Sequence, residues 1–146
     1  MHYLFDGLKA FRSREFEEHR ELFQRLKEEQ NPHTLFITCS DSRIDPNMMT
    51  SSLPGDLFIL RNVANIIPPF IGNDGYAGVG SAVEYAVSVL EVHNIIVCGH
   101  SHCGGCKAAY APAEAFAEAP HTRHWISLLD PVKLEVAEYA PDADEE

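Results

Sequence analysis

No apolar run in the 146-residue chain approaches the length of a membrane span, and charges break the N-terminal stretch MHYLFDGLKAFRSREFEEHRE before it reaches signal-peptide length. No membrane partner is therefore expected, and a reducing cytoplasm is the expected location. Basic residues are scarce as well. Lys plus Arg total 11 against 22 Asp plus Glu, a net charge of −11, and no Lys/Arg cluster marks a nucleic-acid footprint. Nucleic acid is not an expected partner. Such acidity also repels anions at long range, so any anion site must rest on local cations and backbone N–H groups. Part of the acidity is a tail, Asp142, Asp144, Glu145 and Glu146, read as a solvated end. Four cysteines, Cys39, Cys98, Cys103 and Cys106, are too few for a disulfide scaffold in a chain this long, so metal binding or catalysis is the better use for some of them.

What is present fits one folded domain with its own core: 45% hydrophobic and 23% charged residues over a length too short for two ordinary domains. Leu4, Phe5, Leu8 and Phe11 repeat at helical spacing, and Phe16, Leu22, Phe23 and Leu26 form a second helical pattern. Ser13 is the expected N-cap of that second helix, and the Asn31-Pro32 pair its expected end. The segments from His33 to Cys39 and Leu57 to Arg61 read as buried strands, and Asn94 to Gly99 as a short strand with the apolar core Ile95-Ile96-Val97-Cys98. A helix carrying Ala82, Val83, Ala86, Val87 and Leu90 precedes the third strand, and a further helix is expected over Lys107 to Ala111. Strands separated by helices imply an α/β fold with a parallel sheet, whose ligands collect at the carboxyl ends of the strands.

Two polar clusters follow strands one and three: Cys39-Ser40-Asp41-Ser42-Arg43 and His100-Ser101-His102-Cys103-Gly104-Gly105. Cys39, His100 and Cys103 supply two thiolates and an imidazole, a set found in catalytic zinc sites that keep a fourth position open. Zinc there would acidify a bound water from a pKa of about 16 toward roughly 7. In an extended segment Asp41 and Arg43 would lean the same way as Cys39, and Arg43 can hold Asp41 ionised and aimed. Asp41 then either accepts a hydrogen bond at the site or binds the metal itself. Cys98, inside an apolar strand, is read as a small core residue. His2, His19, His33, His93, His102, His121 and His124 are read as surface or capping residues.

Two other uses of the same residues compete. Cys103-Gly104-Gly105-Cys106 is a C-x-x-C between a strand and a helix, the presentation of a thioredoxin-like dithiol, but that use leaves Cys39, Asp41, Arg43 and His100 idle. Gly78-Val79-Gly80 before a helix hints at nucleotide binding, yet Val83 stands where the third glycine belongs and a loop precedes it. Its glycines are read instead as allowing a turn or a close backbone approach.

Taken together, these residues closely resemble the β-class carbonic anhydrases. The matching blocks are Cys39-Ser-Asp-Ser-Arg43, Gly55-Asp-Leu-Phe-Ile-Leu-Arg-Asn-Val-Ala-Asn65, Ser81-Ala-Val-Glu-Tyr-Ala-Val87 and Val97-Cys-Gly-His-Ser-His-Cys-Gly-Gly105, spanning most of the chain from Gln30 to Tyr110. The resemblance implies a zinc enzyme that reversibly hydrates carbon dioxide to bicarbonate and a proton. It implies Zn²⁺ on Cys39, His100 and Cys103, with Asp41 and Arg43 as the catalytic pair. A substrate pocket is implied from Phe58, Val63 and Tyr85, with backbone N–H groups near Gly104 receiving the anion and Gln30 reaching a substrate oxygen across a dimer interface. Homodimers, or higher oligomers built from them, are implied, with N-terminal helices embracing the neighbour.

Some members of that family are gated by bicarbonate at a secondary site containing a tryptophan three residues before the first cysteine ligand. Phe36 stands there, while Arg61 matches another part of that site, so an ungated enzyme is expected. Family chains also usually continue with a helix and further strands beside the third strand. The expected architecture is thus a single β-carbonic-anhydrase-like domain over 1–146: a helical arm (1–30), a zinc-site α/β core (31–111), and a helical segment with acidic tail (112–146) in place of those strands. The alternatives carried forward are a thiol-disulfide oxidoreductase through Cys103 and Cys106, and a non-catalytic zinc-binding module.

Overall fold

The structure is a computed structural model that describes residues 2–70 and 77–140. The acidic tail, and part of the Gly/Pro-rich stretch over 68–80, lie outside the described residues. The chain divides into two units, Met1–Asn31 and Pro32–Glu146.

The first unit holds α1 (His2–Ser13), α2 (Glu15–Glu18) and α3 (Arg20–Leu26). Two expectations fail here. Ser13 is not an N-cap: it ends α1, its hydroxyl donates to the Ala10 carbonyl at 3.2 Å, and Arg14 occupies the cap of α2. The second helix also breaks at His19 and stops at Leu26, five residues before the Asn31-Pro32 pair. Aromatic packing accounts for the break. In one straight helix Phe16 and Phe23 would be separated by about 10 Å along the axis. Here their rings stack with centroids 5.0 Å apart, and Phe11 meets both edge-on at 6.4 and 5.9 Å. The kink brings the three rings together.

The second unit is built on β1 (Thr34–Cys39), flanked in parallel by β2 (Leu57–Asn62) and β3 (Asn94–Cys98) in the order β2-β1-β3. Every residue of β1 is buried, as its largely apolar sequence suits a central parallel strand. Its two polar side chains are satisfied: Thr38 Oγ1 donates to the Cys98 carbonyl at 2.9 Å and Thr34 Oγ1 meets His33 Nδ1 at 2.6 Å. Helix α4 (Pro46–Thr50), capped by the Asp45 carboxylate on the Met48 N–H, lies between β1 and β2. Helix α5 (Ala77–Ser88) precedes β3 and stops short of Leu90. Leu35, Ile37 and Ala86 form a buried cluster with Phe58, Leu60, Val83 and Val92 against it, and each fully buried aliphatic side chain contributes about 1.5–3 kcal/mol.

After β3 come α6 (Gly104–Ala108), α7 (Pro120–Ile126) and α8 (Asp130–Tyr139). Helix α6 starts three residues earlier than the expected Lys107, with Cys103 at its N-cap. Gly78 and Gly80 lie inside α5, where a Cβ on either would meet nothing within 4 Å. Among the described residues neither makes the expected turn or close approach. Among the described residues β3 pairs with β1 alone and is an edge, its Ile95, Ile96 and Val97 about half exposed. No helix among the described residues is long and apolar enough to cross a membrane.

Candidate metal centre

The strand order sets the site. From β2 the chain passes over β1 to add β3 on its other side, so the carboxyl ends of β1 and β3 flank a topological switch point, where open α/β sheets bind ligands. Cys39 is the last residue of β1, and His100 and Cys103 follow β3. The two sequence clusters therefore converge although some sixty residues separate them.

Cys39 Sγ and Cys103 Sγ lie 3.8 Å apart, and one donor atom from each of Cys39, His100 and Cys103 falls within 4.8 Å of the others. Both cysteines are buried and the His100 side chain is 9% exposed. His100 Nδ1 sits 2.9 Å from the Ser101 carbonyl oxygen. A carbonyl only accepts, so Nδ1 carries the proton and Nε2 presents its lone pair, the arrangement by which a metal-binding histidine is oriented. That Nε2 is buried with no hydrogen-bond partner, an omission that costs about 1–3 kcal/mol unless something fills it. Two soft thiolates and an imidazole whose Nε2 is orphaned, three donors in all, fit a divalent ion such as zinc with a fourth position left open. The Cys39 sulfur beside it, acting as an acceptor, raises the His100 pKa, against burial.

The Cys103 thiol is opposed by burial, yet backbone N–H groups of Cys106 and Gly105 at the start of α6 hold it below the ordinary thiol value. Cys106 is pushed up to about 11, first by desolvation and then by its hydrogen bond with Cys103. Cys106 is no part of the three-residue donor group. Cys103 faces Cys39 and His100, so nothing in the arrangement favours a dithiol centre over a metal centre.

Asp41 Oδ2 lies 3.9 Å from His100 Nε2. Residues 41–44 are not extended, as the sequence suggested; the Ile44 N–H closes a turn on the Asp41 carbonyl at 3.1 Å. Aspartate suits the first position of such a turn because its carboxylate can accept from the backbone two residues on. The Arg43 N–H and Nε both donate to Asp41 Oδ1 at 2.9 Å, and Arg43 Nη2 donates to Oδ2 at 2.8 Å and to the His102 carbonyl at 3.0 Å. Arg43 thus ties one cluster to the other. Its side-chain hydrogen bonds, then its backbone N–H, hold the Asp41 carboxyl well below the usual carboxylate range.

A left-handed turn over Val63–Asn65 walls the site. Ala64 has φ 62° and Asn65 φ 45°, a conformation that costs an L-residue about 1–2 kcal/mol. Asn62 holds the turn by donating to the Ile66 carbonyl at 2.9 Å and accepting from the Ile66 N–H at 2.8 Å. Trp125 Nε1 adds a bond to the Val63 carbonyl at 2.8 Å. The turn packs onto Gly105, where a Cβ would stand 2.7 Å from Ala64 Cβ and 3.0 Å from Val63 Cγ1. Cys39, Ala64, Ile66, Cys103, Ala109 and Ile126 form one buried cluster, with Trp125 against it. Sequence reasoning missed Gly105 and Trp125. Only the Gly-Gly pair and the single tryptophan hinted at them.

Of the expected pocket residues, Val63 lies on this turn and is partly exposed. Phe58 packs against the Leu35, Ile37 and Ala86 cluster, and its ring centroid lies 5.9 Å from that of Tyr85. Gly104 opens α6 with free space around it. Gln30 belongs to the first unit and is exposed. Phe36 is buried inside β1. Arg61 is already engaged: Nε donates to the Cys39 carbonyl at 3.0 Å and Nη2 to the Asp41 carbonyl at 2.7 Å. The seven histidines read as surface residues are all exposed, whereas Cys98 is half-buried and not fully in the core.

A parallel α/β sheet with a Cys-His-Cys donor set at its switch point defines a class of metal-centre proteins, and comparison with known proteins narrows it. A family model described as carbonic anhydrase matches residues 34–146. A curated carbonic anhydrase of Synechocystis sp. is 48% identical over 126 residues, covering 86% of this chain and 45% of that protein. The solved β-carbonic anhydrase CcaA superposes with a TM-score of 0.92 at 42% identity, covering 100% of this chain and 70% of that one. A tetrameric β-carbonic anhydrase of Sordaria macrospora gives 0.83 at 32% identity, covering 99% and 70%. The chain belongs to the β-class carbonic anhydrase family. It spans less than two thirds of the length of the first curated relatives it matches.

Proposed function

We propose that the protein is a zinc-dependent carbonic anhydrase, a lyase that reversibly hydrates carbon dioxide to bicarbonate and a proton. The observation that carries this reading is the buried Cys39, His100 and Cys103 donor group with an ionised, arginine-held Asp41 beside it. These three residues would hold the metal. When bound, zinc supplies Lewis acidity that makes hydroxide available near neutral pH. Asp41 accepts a hydrogen bond from the attacking oxygen and so aims its lone pair; its low pKa keeps it an acceptor throughout the neutral range. Arg43 holds that carboxylate at two oxygens and keeps it in register with the His100–Cys103 loop. Val63, with Phe58 and Tyr85, supplies apolar surface suited to a neutral gas, Gly104 offers a backbone N–H to the anion, and Gln30 donates to a substrate oxygen. A homodimer or a dimer-based higher oligomer, working in the cytoplasm, completes the reading.

The test is a carbon dioxide hydration assay on the 146-residue chain, run with zinc quantitation and native mass measurement. Cys103→Ser is expected to remove zinc and hydration together; stoichiometric zinc with full turnover in that variant refutes the assignment. Full zinc occupancy in the wild type without hydration favours a non-catalytic zinc module.

A further inference from the structure

We infer that Arg61 is a positioning residue for the Asp41 carboxylate, acting through the main chain of the 39–41 segment. The inference takes its activity readout from the hydratase reading, while its structural readout stands without it.

Arg61 is paired in register with Thr38, one step before the end of β1. Ladder bonding between β1 and β2 runs out just beyond, with the Ser40 N–H on the Asn62 carbonyl at 2.8 Å. From there a side chain takes over the backbone's role. One edge of the Arg61 guanidinium spans the carbonyls of Cys39 and Asp41 at 3.0 and 2.7 Å. Both bonds are charge-assisted, and the planar fork fixes the two carbonyls relative to each other. The Asp41 carbonyl also accepts from the Ile44 N–H, so Arg61 anchors the turn that folds Arg43 back onto the Asp41 carboxylate.

The two arginines divide the work. Arg43 grips the carboxylate and the His102 carbonyl, and Arg61 grips the main chain that carries both Cys39 and Asp41. Among the described residues Arg61 bonds to main-chain carbonyls and to no group that would meet substrate; its effect passes through the direction of Asp41. Cys39 is independently held in a buried cluster, so loosening the clamp frees Asp41 more than the metal ligand. A lysine, with one compact ammonium, reaches either carbonyl but cannot fix both.

The experiment compares wild type, Arg61→Gln and Arg61→Lys as the full zinc-loaded chain. It reads zinc content, kcat and KM for carbon dioxide hydration, and amide hydrogen exchange at Arg43 and Ile44 against Phe36 and Ile37 in β1. In Arg61→Gln, zinc and KM are expected to stay at wild-type values while kcat falls about ten- to hundredfold, the cost of a misplacement near 1 Å. Exchange at Arg43 and Ile44 is expected to quicken by about tenfold or more, the sub-global opening of one turn, with β1 unchanged. Arg61→Lys is expected to recover part of both losses, and its graded response carries the test if the glutamine variant does not fold. Wild-type kcat and exchange in both variants overturn the inference, as does a kcat loss that only tracks lost zinc or lost β1 protection. If the zinc-loaded wild type does not hydrate carbon dioxide, the proposed function fails, and exchange at Arg43 and Ile44 alone decides: quickened supports the clamp, unchanged overturns it.

Discussion

Gly105 and Gly104 are adjacent, both outside the left-handed region, and face different surroundings. A methyl at Gly105 would stand 2.7 Å from Ala64 Cβ, 3.0 Å from Val63 Cγ1 and 3.1 Å from the Ala64 nitrogen. Ordinary carbon contacts lie near 3.5–4.0 Å, so about 1 Å must open. The neighbour cannot yield cheaply, because Ala64 is a left-handed residue held on both sides by Asn62 and Trp125. Overpacking of this kind costs about 1–3 kcal/mol, or roughly 4–12 °C in melting temperature for a domain of this size. At Gly104 a methyl meets nothing within 4 Å, and restricting the unfolded chain there stabilises by about 0.4–1 kcal/mol. Thermal melts of Gly105→Ala and Gly104→Ala, each with and without zinc, make the comparison, the zinc-free melts isolating packing from metal binding. Zinc affinity should fall for Gly105→Ala alone, since the displaced backbone carries Cys103 and its 3.8 Å approach to Cys39. A Gly105→Ala melt within 1 °C (about 0.3 kcal/mol) of wild type would refute the reasoning.

Other expectations follow from the same contacts. Cys106→Ser should leave zinc content and hydration unchanged, separating a metal centre from a dithiol enzyme, as an activity assay checks. Because the Cys106 thiol is pushed up to about 11, it stays protonated below that pH, so its iodoacetamide labelling in the zinc-free protein should keep rising as pH approaches 11 instead of levelling near the ordinary thiol range; site-resolved mass spectrometry reads this. Trp125→Phe keeps an aromatic ring but removes the bond to the Val63 carbonyl and part of the packing on the buried cluster, and calorimetry should show a loss of at least about 1 kcal/mol, the share of one hydrogen bond.

Cys39, His100 and Cys103 were legible because few residue types make a soft metal site and the spacing of His100 and Cys103 is local. Asp41 and Arg43 were legible as a pair, but for a wrong geometric reason: a turn and not an extended strand brings Arg43 to Asp41. Ser13 misled because a hydroxyl beside a helix end can cap forward or bond back to its own helix, and composition does not distinguish the two. The break at His19 was hidden because it answers to aromatic contacts between residues seven and twelve apart.

By itself, then, the sequence determined the element types, the burial of the first strand and the chemistry of the donor set, since apolar runs and ligand types are properties of nearby residues. Only the tertiary structure decided the order β2-β1-β3, which makes the ends of β1 and β3 neighbours and brings Cys39 to 3.8 Å from Cys103. It also decided that Gly105 has no room for a methyl and that Arg61 spends its donors on two carbonyls. Such contacts join residues 20 to 64 positions apart, and their energies depend on distances that no local pattern records.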